Sequence, residues 1–305
     1  MEPATASLTT SLETPAGIWL PLVTPFIEGA LDEASLARLA RHYGMQEIAG
    51  LILAATTGEG LVLDDHETAR VVETVAAALP ARKAVYLGLC GSDTHKLVRR
   101  LDATRHWPID GYLITCPYYT RPSQAGLYQH FRALAQATER PIMIYNIPYR
   151  TGVNLGNETM LRLAEVPNIV GVKDCCADPA QSFDLLRLRP SGFAVLTGED
   201  ALFHGAIAQG ADGGVLATAH TDPAAFAAVR DALAAAKTET ALALWRGLID
   251  LVRLLFAEPN PAPIKHWLWR MGLIASPELR LPMTGITPSL AGQLDRLLWA
   301  RRSAA

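Results

Sequence analysis

The chain has 305 residues, of which 50% are hydrophobic and 19% charged, and its formal net charge is −3. This is a soluble globular composition, long enough to bury one α/β barrel with an extension or two ordinary domains. The small negative charge gives no electrostatic footprint for nucleic acid or an anionic membrane, and no run of about 18 apolar residues is present to span a bilayer.

Residues 1–14 are rich in Ser, Thr and Ala, without a basic or an apolar signal region, and read as a loose tail. Gly17 to Val23 reads as a first strand, ended by Thr24-Pro25 because proline removes a donor and restricts its neighbour. Asp32 to Met45 carries Leu36, Leu39, Ala40 and Tyr43 at helical spacing, with Asp32 or Ser35 as cap. Gly50 to Ala55 is a second strand, followed by the loop Thr56-Thr57-Gly58-Glu59-Gly60. His66 to Ala78 is helical, Lys83 to Leu89 a third strand, and Ser92 to His106 the next helix. Gly111 to Thr115 is a fourth strand; Cys116 to Pro122 is its loop, and Ser123 caps a helix to about residue 138. Pro141 to Asn146 is a fifth strand, Asn157 to Ala164 a short helix, and Ile169 to Lys173 a sixth strand. Pro179 to Leu188 is helical, Phe193 to Thr197 a seventh strand, and Gly198-Glu199-Asp200 opens a helix to about Gln209. Gly213 to Ala217 is the eighth strand.

Eight short apolar strands alternating with helices call for a closed parallel barrel of the TIM (β/α)8 type. An open dinucleotide-binding sheet would need a glycine-rich turn after its first strand, and none is present. From Thr221 onwards the pattern is almost all helical, interrupted by Glu258-Pro-Asn-Pro-Ala-Pro263 and resumed over Pro263 to Met271 and Ser289 to Arg301. The expected organisation is a tail (1–14), a barrel (15–220) and a C-terminal α-helical extension (221–305). The four cysteines, Cys90, Cys116, Cys175 and Cys176, lack metal-type spacing and read as reduced thiols of a cytoplasmic protein. No cluster has zinc-ligand spacing, so no metal is expected.

Active sites of such barrels lie at the carboxyl ends of the strands. There the sequence sets Thr56 and Thr57 after strand two, Tyr118 and Tyr119 after strand four, Tyr145 on strand five with Arg150 beyond it, and Lys173 ending strand six. Each alone has a structural explanation: a lysine ending a strand can reach water, and a tyrosine on an apolar strand can be core. Together they fit one job. A neutral lysine amine condenses with the keto group of a 2-oxo acid, and the resulting iminium drains electrons from the adjacent carbon. For the amine to be largely neutral near pH 7 to 8, its pKa must fall from roughly 10.4 by about 4 kcal/mol of preference, within the reach of burial. Tyr145 can move the protons, Thr56 and Thr57 with loop N–H groups can hold a carboxylate, and Arg150 can take a second carboxylate.

Thr56-Thr57-Gly58-Glu59, Pro117-Tyr118-Tyr119-x-Arg121-Pro122-Ser123-Gln124, Tyr145-Asn146-Ile147-Pro148, Gly171-Val172-Lys173-Asp174, Glu258-Pro-Asn-Pro261 and Arg280-Leu-Pro-Met-Thr284 resemble the dihydrodipicolinate synthase / N-acetylneuraminate lyase family. The likeness runs from about residue 17 to 298. It implies a TIM barrel with a helical C-terminal part and class I aldolase chemistry on pyruvate with no cofactor beyond the covalent Schiff base. It also implies a homo-oligomer, a tetramer built as a dimer of dimers. By resemblance, Lys173 is the Schiff-base lysine and Tyr145 the proton-transfer tyrosine, with Thr57 in its relay. Tyr119 is the tyrosine that completes a neighbour's relay across the dimer interface. Thr56, Thr57 and the backbone near Leu216 form the pyruvate site.

Pro148-Tyr149-Arg150-Thr151-Gly152 is synthase-like, with Arg150 for the carboxylate of an aldehyde partner, aspartate semialdehyde. Sugar-acid or sialic-acid-type aldolases tend to lack that arginine. They are the alternative reading. A barrel that binds 2-oxo acids without catalysis is another, and the retained relay argues against it. The sequence departs from the synthase pattern at Gly88-Leu89-Cys90 and at Asp174-Cys175-Cys176. Lysine-regulated members carry His, Asn and Glu where this chain has Asp65, Thr68, Ser92 and Lys96, so feedback by lysine is expected to be weak or absent.

Overall fold

Eight parallel strands close on themselves in the computed structural model, which describes residues 14–304. The strands are β1 (Gly17–Pro21), β4 (Gly50–Leu53), β5 (Ala84–Leu89), β6 (Gly111–Thr115), β7 (Ile142–Asn146), β8 (Ile169–Asp174), β9 (Ala194–Thr197) and β10 (Gly213–Val215); a hairpin of β2 (Phe26–Ile27) and β3 (Ala30–Leu31) stands outside the barrel. The closed order is β1-β10-β9-β8-β7-β6-β5-β4, the (β/α)8 arrangement expected from the alternating pattern. Of the expected tail, residues 1–13 lie outside the described residues, and the described Thr14 donates from its hydroxyl to the Gly192 carbonyl.

The strands are buried on both faces, which is why they read as continuous apolar runs rather than alternating ones. Their inward residues pack around Trp19, Ile52, Tyr86, Leu113, Met143 and Leu196, while the outward ones meet the helices in a second core. Trp19 and Tyr86 plug the floor edge-to-face, 4.8 Å between ring centres. Glycine starts the strands beside them for a steric reason. A Cβ at Gly50 would lie 2.5 Å from the Trp19 ring, and one at Gly111 would lie 2.6 Å from the Tyr86 ring.

Helix starts follow the expected caps. Asp32 accepts from Ser35 N at 2.9 Å, and Ser123 accepts from Gly126 N at 3.2 Å. Asp64 and Glu67 form a reciprocal capping box on helix Asp65–Ala78. Three local features depart from the sequence reading. Pro148–Thr151 is a helical turn rather than loop. The hairpin of β2 and β3 was not foreseen, being only two residues per strand. The long C-terminal helix is two helices, Pro223–Ala234 and Thr238–Leu255, broken where Ala236 takes φ 57°. Helix Pro223–Ala234 sits beside β1, with Arg230 reaching Gly17. The extension's helices, Thr238–Leu255, Ala262–Arg270 and Pro288–Ala304, share the outer core. No helix among the described residues is long and apolar enough to cross a membrane.

Candidate active site

β7 and β8 are register neighbours with Tyr145 opposite Lys173. On β8 the alternation sends Val172 outward and Lys173 and Cys175 inward. Lys173 is 5% exposed, and its Nζ lies 4.2 Å from the centre of the Tyr145 ring. The amine makes no hydrogen bond or ion pair among the described residues. Burial pushes its pKa down and the Arg150 charge adds to this, against the opposing pull of Cys175, Asp200 and Glu199. A buried amine with a lowered pKa and no such partner is a candidate nucleophile.

Gly198 makes room for it. A Cβ there would overlap both the Lys173 stem and the Cys175 sulfur, so the side chains fill one slot that only glycine leaves open. Asp200, two residues on, is 3% exposed and accepts from Thr218 N at 2.6 Å and Thr218 Oγ1 at 2.5 Å. Burial raises its pKa to about 6. Glu199 accepts from the Tyr149 hydroxyl at 2.7 Å across the mouth.

Tyr145 is 4% exposed, and burial raises its pKa, with the Thr56 side chain close enough to oppose that slightly. Thr56 lines the main cavity; Thr57, 3% exposed, accepts from Asn260 Nδ2 at 2.9 Å, and Asn260 itself lines that cavity. The loop holds Ala54 and Glu59 at positive φ (52° and 51°). It is clamped from below by a buried ion pair between Glu59 and Lys265 of the extension, with Arg280 N donating to Glu59 Oε2 at 3.2 Å.

A cavity near 850 Å³ is lined by Thr56, Tyr118, Tyr119, Tyr149, Arg150 and Asn260 among others. Arg150 is exposed at its rim. Tyr119 also lines it but is 91% exposed, at φ 70°, a backbone region costly for a bulky residue. Leu216 is fully buried, and its N–H donates to the Trp19 carbonyl at 3.0 Å, leaving its carbonyl as the group on offer. The strand-end rule therefore brings Thr56, Tyr118, Tyr119, Arg150 and the Tyr145–Lys173 pair to one mouth.

Sequence reasoning missed Asn260, Asp200 and Gly198. The last two lie directly after a strand, where the same rule applies. Asn260 was visible only as a polar residue between two prolines.

The sequence profile of the dihydrodipicolinate synthetase family matches residues 14–301. The chain is 42% identical over 282 residues to 4-hydroxy-tetrahydrodipicolinate synthase 2 of Clostridium acetobutylicum, covering 92% of this chain and 99% of that one. Among solved structures, it matches dihydrodipicolinate synthase from Aquifex aeolicus with a TM-score of 0.90 at 32% identity, covering 94% and 98% of the two chains. It matches the chloride-inhibited dihydrodipicolinate synthase from Acinetobacter baumannii complexed with pyruvate with a TM-score of 0.88 at 34% identity, covering 93% and 97%.

Proposed function

This chain belongs to the dihydrodipicolinate synthetase family, and from that premise we propose that it condenses pyruvate with aspartate semialdehyde through a Schiff base on Lys173. That is the reaction of a 4-hydroxy-tetrahydrodipicolinate synthase. The observation that carries the reading is the buried Lys173 amine against the Tyr145 ring, with no hydrogen-bond partner among the described residues and with the charge of Arg150, a residue of the main cavity, acting on it.

The amine attacks the keto carbon of pyruvate, and the carbinolamine loses water to give the iminium. Tyr145, with Thr56 as its hydroxyl partner, moves the protons of these steps. The iminium accepts the electron pair released when the pyruvyl methyl loses a proton. The enamine then adds to the aldehyde carbon, and hydrolysis or transimination frees Lys173. Thr56 and Thr57 hydroxyls hold the pyruvate carboxylate. The Leu216 carbonyl accepts from the carbinolamine hydroxyl. Arg150 takes the carboxylate of the aldehyde bidentately. No cofactor or metal enters this scheme.

Tyr119 is the remaining relay member. Its exposure and its strained backbone support a role toward a second copy of the chain, in a dimer and then a tetramer of dimers. A cytoplasmic location fits the chemistry. The test is a condensation assay on the purified protein, with product followed by NMR. Turnover of pyruvate with aspartate semialdehyde is expected. Turnover with sugar-derived aldehydes but not with aspartate semialdehyde would overturn the reading.

A further inference from the structure

The extension contributes one polar side chain to the cavity that the reaction scheme does not use. Asn260 sits in Glu258-Pro-Asn-Pro-Ala-Pro263, directly before helix Ala262–Arg270. It is 8% exposed, lines the cavity beside Thr56, and donates from Nδ2 to Thr57 Oγ1 at 2.9 Å. Its other atom, Oδ1, is buried with no hydrogen-bond partner among the described residues. A buried amide satisfied on one side only calls for an explanation other than its own stability.

We infer that Asn260 is a positioning residue that makes the Thr57 hydroxyl a hydrogen-bond donor toward the carboxylate of the 2-oxo acid. The inference rests on the proposed role of Thr57 in holding that carboxylate. A threonine hydroxyl has one proton and two lone pairs, and it can turn either way. When Asn260 Nδ2 donates into one lone pair, the hydroxyl proton has no acceptor on that side. It is left to point at an incoming anion, and the donated bond polarises it further. The Thr57 side chain, 3% exposed, has little other freedom.

The loop does not depend on Asn260 to stay in place. The buried Glu59–Lys265 pair and the Arg280 N to Glu59 bond already anchor it to the extension. Two anchors on Glu59 and a separate, half-satisfied bond on Thr57 divide the labour: one set fixes the loop, the other sets the hydroxyl.

The test uses the full chain and three variants, Asn260→Asp, Asn260→Ala and Thr57→Val, with Asn260→Asp/Thr57→Val to close a cycle. In Asn260→Asp the carboxylate can only accept, so it draws the Thr57 proton away from the ligand. The KM for pyruvate is expected to rise at least about tenfold, while the KM for the aldehyde changes less than about twofold. Asn260→Ala, which adds no buried charge, gives a smaller rise in the same direction and guards against misfolding of the Asp variant. The double variant should be no worse than Thr57→Val alone. Additive effects of the two substitutions, or a lowered melting temperature with unchanged KM for pyruvate, would overturn the inference. Borohydride trapping separates the two levels. If the wild-type chain traps no pyruvate, the proposed function fails. If it traps pyruvate and Asn260→Asp does so at the same half-saturating concentration, only this inference fails.

Discussion

Lys173 Nζ stands 4.2 Å from the centre of the Tyr145 ring, and the two residues face each other across β7 and β8. Two forces act on the amine there. The ring face favours the ammonium, by about 2 kcal/mol for a desolvated pair. Burial favours the neutral amine, and its direction prevails. The same register puts the Tyr145 hydroxyl beside the place where the carbinolamine forms. Tyr145→Phe keeps the ring and removes the proton carrier. Its kcat is expected to fall about 10² to 10⁴-fold, with the melting temperature nearly unchanged. A loss below threefold in steady-state rate would show that another group moves the protons.

Gly198 offers a steric test. A methyl there overlaps the Lys173 stem and the Cys175 sulfur. Displacing the reacting amine by about 1 Å is enough to cost roughly 100-fold in rate, so Gly198→Ala should lose at least that much. Adding Cys175→Ala vacates part of the slot and should restore some of it. No recovery in the double variant would mean that the lysine stem alone fills that space.

Arg150 separates the two substrates. Arg150→Ala should weaken aspartate semialdehyde far more than pyruvate, by about 10 to 100-fold in kcat/KM for the loss of a charge-assisted hydrogen-bond pair. Equal losses for both substrates, measured by varying each at saturation of the other, would assign it to the fold or to pyruvate instead.

Asp200 links the site to pH. Its folded pKa, about 6, stands above the ordinary 3.8, so between those values the folded chain holds the more protons. The stability from this proton is complete below about pH 4 and is lost as the pH rises through 6, a change of about 3 kcal/mol. Buried His130 and His220, held down to about 4, act in the opposite sense over the same window. The comparison is therefore with Asp200→Asn in urea melts at pH 4.5 and 6.5. The variant should gain stability relative to wild type on going to the higher pH. Parallel curves would mean that Asp200 is already ionised throughout.

A second cavity, near 600 Å³, is lined by Asp65, Thr68, Ser92, Lys96, Arg100 and Tyr118. Arg100 already engages Asp65 at 2.5 Å. Its two carboxylates are already engaged, Asp65 by Arg100 and Asp93 by the His95 and Lys96 N–H groups, and the Lys96 cation faces the same space, so no free carboxylate is offered to the ammonium of a cationic amino acid. L-lysine should therefore inhibit little, and half-inhibition at sub-millimolar lysine in a steady-state assay would contradict this.

Much of this architecture was legible because barrel strands and their ends obey simple rules. Short β-branched runs gave the eight strands, and the residue following each run gave Thr56, Tyr119, Arg150 and Lys173. What stayed hidden depends on loop direction and on partners far along the chain. No local pattern says that Thr57 accepts from Asn260, 203 residues away. Nor does any mark Lys265 as a fully buried cation, since its partner Glu59 belongs to a loop on the barrel's far side of the sequence. The break at Ala236 escaped notice because alanine is the best helix former and carries no stop signal.

The most direct measurement is borohydride reduction of the chain in the presence of pyruvate, followed by peptide mass mapping. One pyruvyl adduct per chain is expected, on Lys173, absent without pyruvate and absent from Lys173→Ala. An adduct on any other lysine, or none at saturating pyruvate, would contradict the account.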